Sequence, residues 1–208
     1  MLQSVKELPE HYHLNAKLDL AERKGLALVL NLVAGVSAIG YLLLFGFLAF
    51  TLRPTDAPAA LQVQITGISN LLVLALRLMA ATVVMLLLHE GVHGLCFRLY
   101  TGEWGTFAFK GLYAYAGAPD WYLPRNQHLV TTLAPLVGIS LVGVLLITFV
   151  PRAILTDLLL VLVLNASGAM GDVAVVVWLL TKPRDAYIKD YGDGVAIHLP
   201  GEGSTSSA

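Results

Sequence analysis

His89-Glu90-Gly91-Val92-His93 places two imidazoles four residues apart, with a carboxylate beside the first. On an α-helix, residues four apart share one face, so both rings reach a single metal ion. Glu90 stands about 100° further round, where it can serve a water at that ion as general base. Zinc suits this set: two imidazoles and one carboxylate leave a fourth position for water, whose pKa the ion lowers. The pattern follows the apolar run Val83-Val84-Met85-Leu86-Leu87-Leu88. Three ionisable groups at such depth are costly without partners, which favours a metal site over polar packing.

A third protein ligand is needed, and Asp172 in Gly168-Ala-Met-Gly-Asp172 is the first candidate. Asn165, Gly168, Ala169 and Asp172 recur at i, i+3, i+4 and i+7, a small polar helix face that lets another helix come close. Glu103 and His128 are the runner-up ligands. Asn165 has two readings: a donor to a developing oxyanion, or a helix-packing contact. Cys96 reads as packing, and His11, His13 and His198 as solvated.

These residues need elements to hold them. Of 208 residues, 57% are hydrophobic and 13% charged. Soluble domains run at about 25% charged. With a mean hydropathy of +0.73, the chain reads as a polytopic membrane protein. Apolar runs at Gly25–Leu52, 71–97, 129–150 and 154–181 each hold the roughly 20 residues a spanning helix requires. The expected fold class is therefore an all-α polytopic membrane protein. It is a four-span helical bundle with a short strand-like cytoplasmic loop between spans two and three. Residues 1–24 form an N-terminal segment, with Asn15 placed to cap a short helix over 16–24. Residues 25–181 form the membrane domain and 182–208 a tail. In that tail 185–200 is a strand or extended, and 201–208 is disordered. In the 98–127 loop, alternation on either side of Lys110-Gly111 suggests a hairpin. It would either pair with an extended substrate or plug the bundle.

Basic residues set the orientation. Lys6, Lys17, Arg23 and Lys24, then Arg98, Lys110 and Arg125, then Lys182, Arg184 and Lys189 lie on one side. Only Arg53 and Arg152 lie in the opposite loops, which puts both termini in the cytoplasm and the protein in the cell membrane as a multi-pass chain. In this topology spans two and four run parallel. His89, His93 and Asp172 then lie about 12, 6 and 13 Å from the cytoplasmic ends of their spans, a common depth. Arg77 and Asp157 stand level too, about 21 and 22 Å further along. Either they pair, or Arg77 snorkels to the outer headgroups.

A formal net charge of −1 and the lack of a basic run exclude nucleic acid as a partner. One cysteine excludes an internal disulfide, and six histidines are too few for a multi-histidine di-iron oxygenase. No cleavable signal peptide is expected, since the first apolar run is too long.

With these residues the chain resembles a bacterial family of zincin-type membrane peptidases, otherwise described as a domain of unknown function. More distantly it resembles the site-2 protease class of intramembrane zinc metalloproteases. The likeness rests on Leu8-Pro9, His89-Glu-Gly-Val-His93-Gly94, Tyr113-Ala-Tyr115 with Pro119, Leu133-Ala-Pro135, Gly171-Asp172 and Asp190-Tyr-Gly192. The resemblance implies zinc held by His89, His93 and Asp172, with Glu90 as base. Site-2 proteases set their aspartate in an Asn- and Pro-rich segment ending Leu-Asp-Gly. Here Asn165 precedes Asp172 by seven residues, the prolines are absent and Val173 replaces the glycine.

The expected function is hydrolysis of a peptide bond in or near the bilayer, in a membrane protein or peptide substrate. The alternative is a non-catalytic membrane adaptor or sensor with a structural metal site, closed by His128 or Glu103 as a fourth ligand. A metal carrier fits less well, because one site with few other intramembrane polar groups makes no conduction path.

Overall fold

The computed structural model describes residues 2–19, 23–62, 65–110, 113–192 and 194–201. The expected disorder at 202–208 and the hairpin turn at Gly111-Leu112 lie outside the described residues. In chain order the elements are β1 (Tyr12–Asp19), α1 (Lys24–Leu52), α2 (Ala57–Ala60), α3 (Ile68–Thr101), β2 (Thr106–Lys110) and β3 (Tyr113–Pro124). Then come α4 (Arg125–Ala134), a π-helical turn (Pro135–Ile139), α5 (Ser140–Ile147), α6 (Arg152–Gly168), α7 (Met170–Leu180), β4 (Tyr187–Asp190) and β5 (Gly194–Pro200).

Four helical stretches are long and apolar enough to cross a membrane: Gly25–Leu52, Ile68–Thr101, Arg125–Ile147 and Arg152–Leu180. They coincide with the four apolar runs. The fold is not all-α, however. Five strands form one antiparallel sheet in the order β1-β5-β4-β3-β2. The N-terminal segment supplies β1 where a short helix over 16–24 was expected. Local capping by Asn15 yields to pairing with β5 along Tyr12–Asp19, a non-local partnership that outweighs a weak propensity. The hairpin in the 98–127 loop is present as β2 and β3. The tail, expected as strand or extended, supplies both β4 and β5.

The chain divides into two compact units. The first comprises Leu30–His89 and Pro135–Met170 and is helical. Its core gathers Phe45, Ile147, Leu155, Leu159 and Leu162 with the small Ala49 and Ala166. A Cβ on Gly143 would come within 2.2 Å of Leu162, so only glycine lets α5 pack there. Arg53 clamps the loop ends: it pairs with Asp56, and its Nη1 donates to the carbonyls of Ile147 (3.1 Å) and Val150 (2.8 Å). Arg77 Nε lies 3.8 Å from Asp157 Oδ1, so these two charges within apolar helices face each other as an ion pair. Outside the core the helices expose Val36, Leu43, Phe47, Leu72 and Leu87, apolar surface that suits lipid.

The second unit comprises Met1–Val29, Glu90–Ala134 and Gly171–Ala208, and contains the sheet. Leu18, Ile188, Val195 and Ile197 of the sheet pack with Val175 and Leu179 of α7. Phe97 of α3 packs on Ala116, Ala118 and Leu123 of β3. A Cβ at Gly94 would meet Phe107 Cζ at 2.2 Å, so glycine at this position brings β2 against α3 one residue after His93. Gly192 has φ +89, and a Cβ there would collide with the Tyr115 ring. The turn after β4 therefore requires glycine on both counts.

Candidate metal centre

Buried positions of α3 recur every fourth residue at Ala81, Met85, His89, His93 and Phe97, with Gly94 buried beside His93. Both histidines thus lie on the packed stripe of an otherwise lipid-suited helix. The small face expected on α6 packs against this stripe. A Cβ on Gly168 would stand 3.9 Å from Met85, and Val161 packs with Ala81 and Met85.

Each ring is held by its Nδ1. His89 Nδ1 lies 3.0 Å from Asn165 Oδ1, and Asn165 Nδ2 donates to the Pro135 carbonyl at 3.1 Å. A carbonyl only accepts, so the amide nitrogen must face Pro135 and the amide oxygen must face His89. His89 therefore carries its proton on Nδ1. His93 Nδ1 lies 3.0 Å from the carbonyl of Thr131, which again requires a donor. In a neutral imidazole this fixes the lone pair on Nε2 in both rings, the state a metal ligand requires.

The Thr131 carbonyl has a local cause. An α-helix would pair it with the N–H four residues on, but that residue is Pro135, which has none. His93 supplies the missing donor. On the other side α6 ends at Gly168, and α7 begins at Met170 with Asp172 in its first turn. A helix N-terminus favours negative charge there.

Ligand atoms of His89, His93 and Asp172 all lie within 4.8 Å of one another, and His93 Nε2 stands 3.7 Å from Asp172 Oδ1. Atoms bound about 2.0–2.2 Å from a tetrahedral ion stand roughly 3.3–3.6 Å apart. Side-chain shifts of about 1 Å or less close the difference, so the donor set fits zinc in number, chemistry and spacing. Glu90 is half-buried on α3 beside His89.

The runner-up ligands are engaged elsewhere. Glu103 accepts from Lys6 Nζ (2.7 Å) and Trp121 Nε1 (2.9 Å), and those two hydrogen bonds hold its carboxyl below the usual range. His128 is fully buried on α4, with its Nε2 3.7 Å from Asp190 Oδ2. Burial pushes the Asp190 carboxyl up to about 7. The Gly192 N–H and His93 oppose the rise, and Asp172 and Glu90 reinforce it. Sequence reasoning missed this buried pair, although Asp190-Tyr-Gly192 marks a turn in which an aspartate side chain caps the backbone: Gly192 N–H donates to Asp190 Oδ1 at 2.7 Å. His11 and His13 are exposed as expected, whereas His198 is half-buried with its ring edge-on to Tyr122 at 5.1 Å. Cys96 is half-buried.

Residues 82–187 match the sequence model of a family described as "Putative zincin peptidase". Among curated proteins and solved structures nothing matches. The matched stretch contains His89, Glu90, His93, His128, Asn165 and Asp172 and ends three residues before Asp190.

Proposed function

We propose, because this chain belongs to the zincin peptidase family, that it is a membrane-embedded zinc metallopeptidase that hydrolyses a peptide bond in or near the bilayer. The observation that carries this reading is the pair of histidines one helical turn apart, each donating through Nδ1, with Asp172 within ligand distance. His89, His93 and Asp172 would hold the ion. Bound zinc would polarise the scissile carbonyl and acidify a water. Glu90 accepts the proton of the attacking water and passes it to the leaving amine nitrogen. Asn165 keeps the His89 ring in its tautomer rather than serving as an oxyanion donor, since both ends of its amide are committed. Burial of the histidines keeps competing water out.

An extended substrate needs a strand to pair with, and β2 ends the sheet order, with β3 on one side. Its other edge suits strand addition. The contact between Gly94 and Phe107 keeps that strand beside the α3 turn that carries His93. Basic residues support cytoplasmic termini, and the HExxH helix followed by an intramembrane aspartate supports a site-2 protease-like arrangement. The adaptor reading is weaker, because a closed structural site needs a fourth protein ligand. His128 is turned to Asp190, and Glu103 to Lys6 and Trp121.

Glu90→Gln separates the two readings. In protein purified in detergent, the variant is expected to keep zinc and lose hydrolysis of an apolar quenched-fluorescence peptide by about 10²–10⁴-fold. Full function of Glu90→Gln in cells returns the protein to the adaptor class.

A further inference from the structure

Within the helical unit, α3 and α6 meet in a small apolar cluster of Ala81, Met85 and Val161. One turn earlier on each helix, four residues before Ala81 and before Val161, stand Arg77 and Asp157. Arg77 Nε is 3.8 Å from Asp157 Oδ1, beyond the roughly 2.7–3.2 Å of an N–H···O hydrogen bond. The two side chains remain 45% and 40% exposed. Among the described residues no hydrogen bond reaches either charge. A guanidinium has five donors and a carboxylate two accepting oxygens, so most of this polar capacity is unmet by the chain itself. Around the pair α3 is bare: from Ile68 to Ala80 every residue is exposed except the half-buried Leu74.

We propose that this face is the interface between two copies of the chain, in which Arg77 of each copy pairs with Asp157 of the other. The inference rests on the membrane-embedded reading above. Asp157 lies about 7.5 Å inside the start of α6, and Arg77 about 13.5 Å inside the start of α3. The Arg152–Leu180 stretch is about 42 Å long against a hydrocarbon core of about 30 Å, so both charges fall just inside its edge. Charges at such depth are expensive without partners. An aspartate is too short to snorkel, and it holds the guanidinium at its own level. Symmetry makes the surface self-complementary. Two copies inserted in the same orientation are related by a two-fold axis along the membrane normal. That rotation keeps every residue at its depth and reverses left and right across the interface. The cation of one copy therefore meets the anion of the other, and two open pairs close into a ring of four alternating charges. An unrelated helix pair would need its own cation and anion in that order and at that depth. Ala80, exposed three residues after Arg77, leaves room for the two α3 helices to approach.

Complementary charge reversals test this on the full chain in lipid vesicles, read by energy transfer between donor- and acceptor-labelled copies as the protein is diluted in lipid. The unaltered chain is expected to associate. Arg77→Asp alone builds an interface of four carboxylates, and Asp157→Arg alone one of four guanidinium groups. Each should weaken association by at least about 10-fold. Mixed together, the two variants face each other with opposite charges at both contacts, and association should return to within about 10-fold of the unaltered chain. Arg77→Gln and Asp157→Asn, polar but uncharged, should each weaken association by about 3–10-fold, and they carry the test where a reversed chain does not fold. An unaltered chain that stays monomeric at every dilution overturns the inference. So does a mixture of two folded reversals that associates no better than its components, and so do neutral variants that associate as the unaltered chain does. Unaltered protein recovered free of the vesicles on flotation overturns the membrane-embedded reading instead.

Discussion

The end of α6 and the second turn of α4 each hold one histidine of α3, and they do so by different means. Asn165 reaches His89 with a side chain. Thr131 meets His93 with a main-chain carbonyl. Both produce the same tautomer, yet only the first is written in a residue type. The second is written in an absence, the missing N–H of Pro135. Outer partners of metal-bound histidines set ring orientation and ligand basicity, and losing one typically costs about 10–100-fold in metal affinity. The two supports should therefore respond to substitution very differently, because a side chain can be removed and a carbonyl cannot.

The largest effect sets the scale. His93→Ala removes a proposed ligand rather than a support, and zinc content measured on purified protein is expected to fall nearly to zero, a loss beyond about 100-fold. Next comes Asn165→Ala. Zinc titration should show affinity about 10–100-fold weaker. Thermal unfolding in detergent should show a stability loss of about 1–3 kcal/mol for each of the two groups left without a partner, His89 Nδ1 and the Pro135 carbonyl. Unchanged affinity in this variant would remove the α6 side of the comparison. The smallest effect belongs to Thr131→Val. It deletes the Oγ1 bond to the Gln127 carbonyl and leaves the carbonyl that faces His93. A stability change of about 1 kcal/mol and zinc affinity within about two-fold of the unaltered chain are expected. If Thr131→Val lost zinc as Asn165→Ala does, the distinction between side-chain and main-chain support would be wrong.

The same distinction explains what could be read in the sequence. Four helices long and apolar enough to cross a membrane are legible because long apolar runs have few other solutions in a chain with so little charge. His89 and His93 are legible because a spacing of four has one meaning on a helix. Asp172 follows from its place along the fourth apolar run, and the pairing of Arg77 with Asp157 is one of two readings that equal offsets along the second and fourth runs allow. The sheet is less legible. β1 runs through Asn15, Lys17 and Asp19 and exposes three residues in a row, His13 to Asn15, so it lacks the alternation that marks a half-buried strand. Its identity depends on β5, which begins 175 residues after β1 ends. The pairing of His128 with Asp190 needs that sheet and shares its obscurity. Thr131 has no signature of its own, yet subtracting four from the position of a helical proline would have found it.

Pro135 also sets two aims of protein engineering against each other. A proline inside a helix costs about 3 kcal/mol relative to alanine, so Pro135→Ala is the kind of change a thermostability screen would favour. The alanine would bring an N–H within reach of the Thr131 carbonyl, in competition with His93. The helix would gain its regular bond, and the histidine would lose the contact that fixes its proton. A library selected for melting temperature alone should therefore enrich that variant while the proposed zinc site loosens, so selection for stability would work directly against the candidate metal centre.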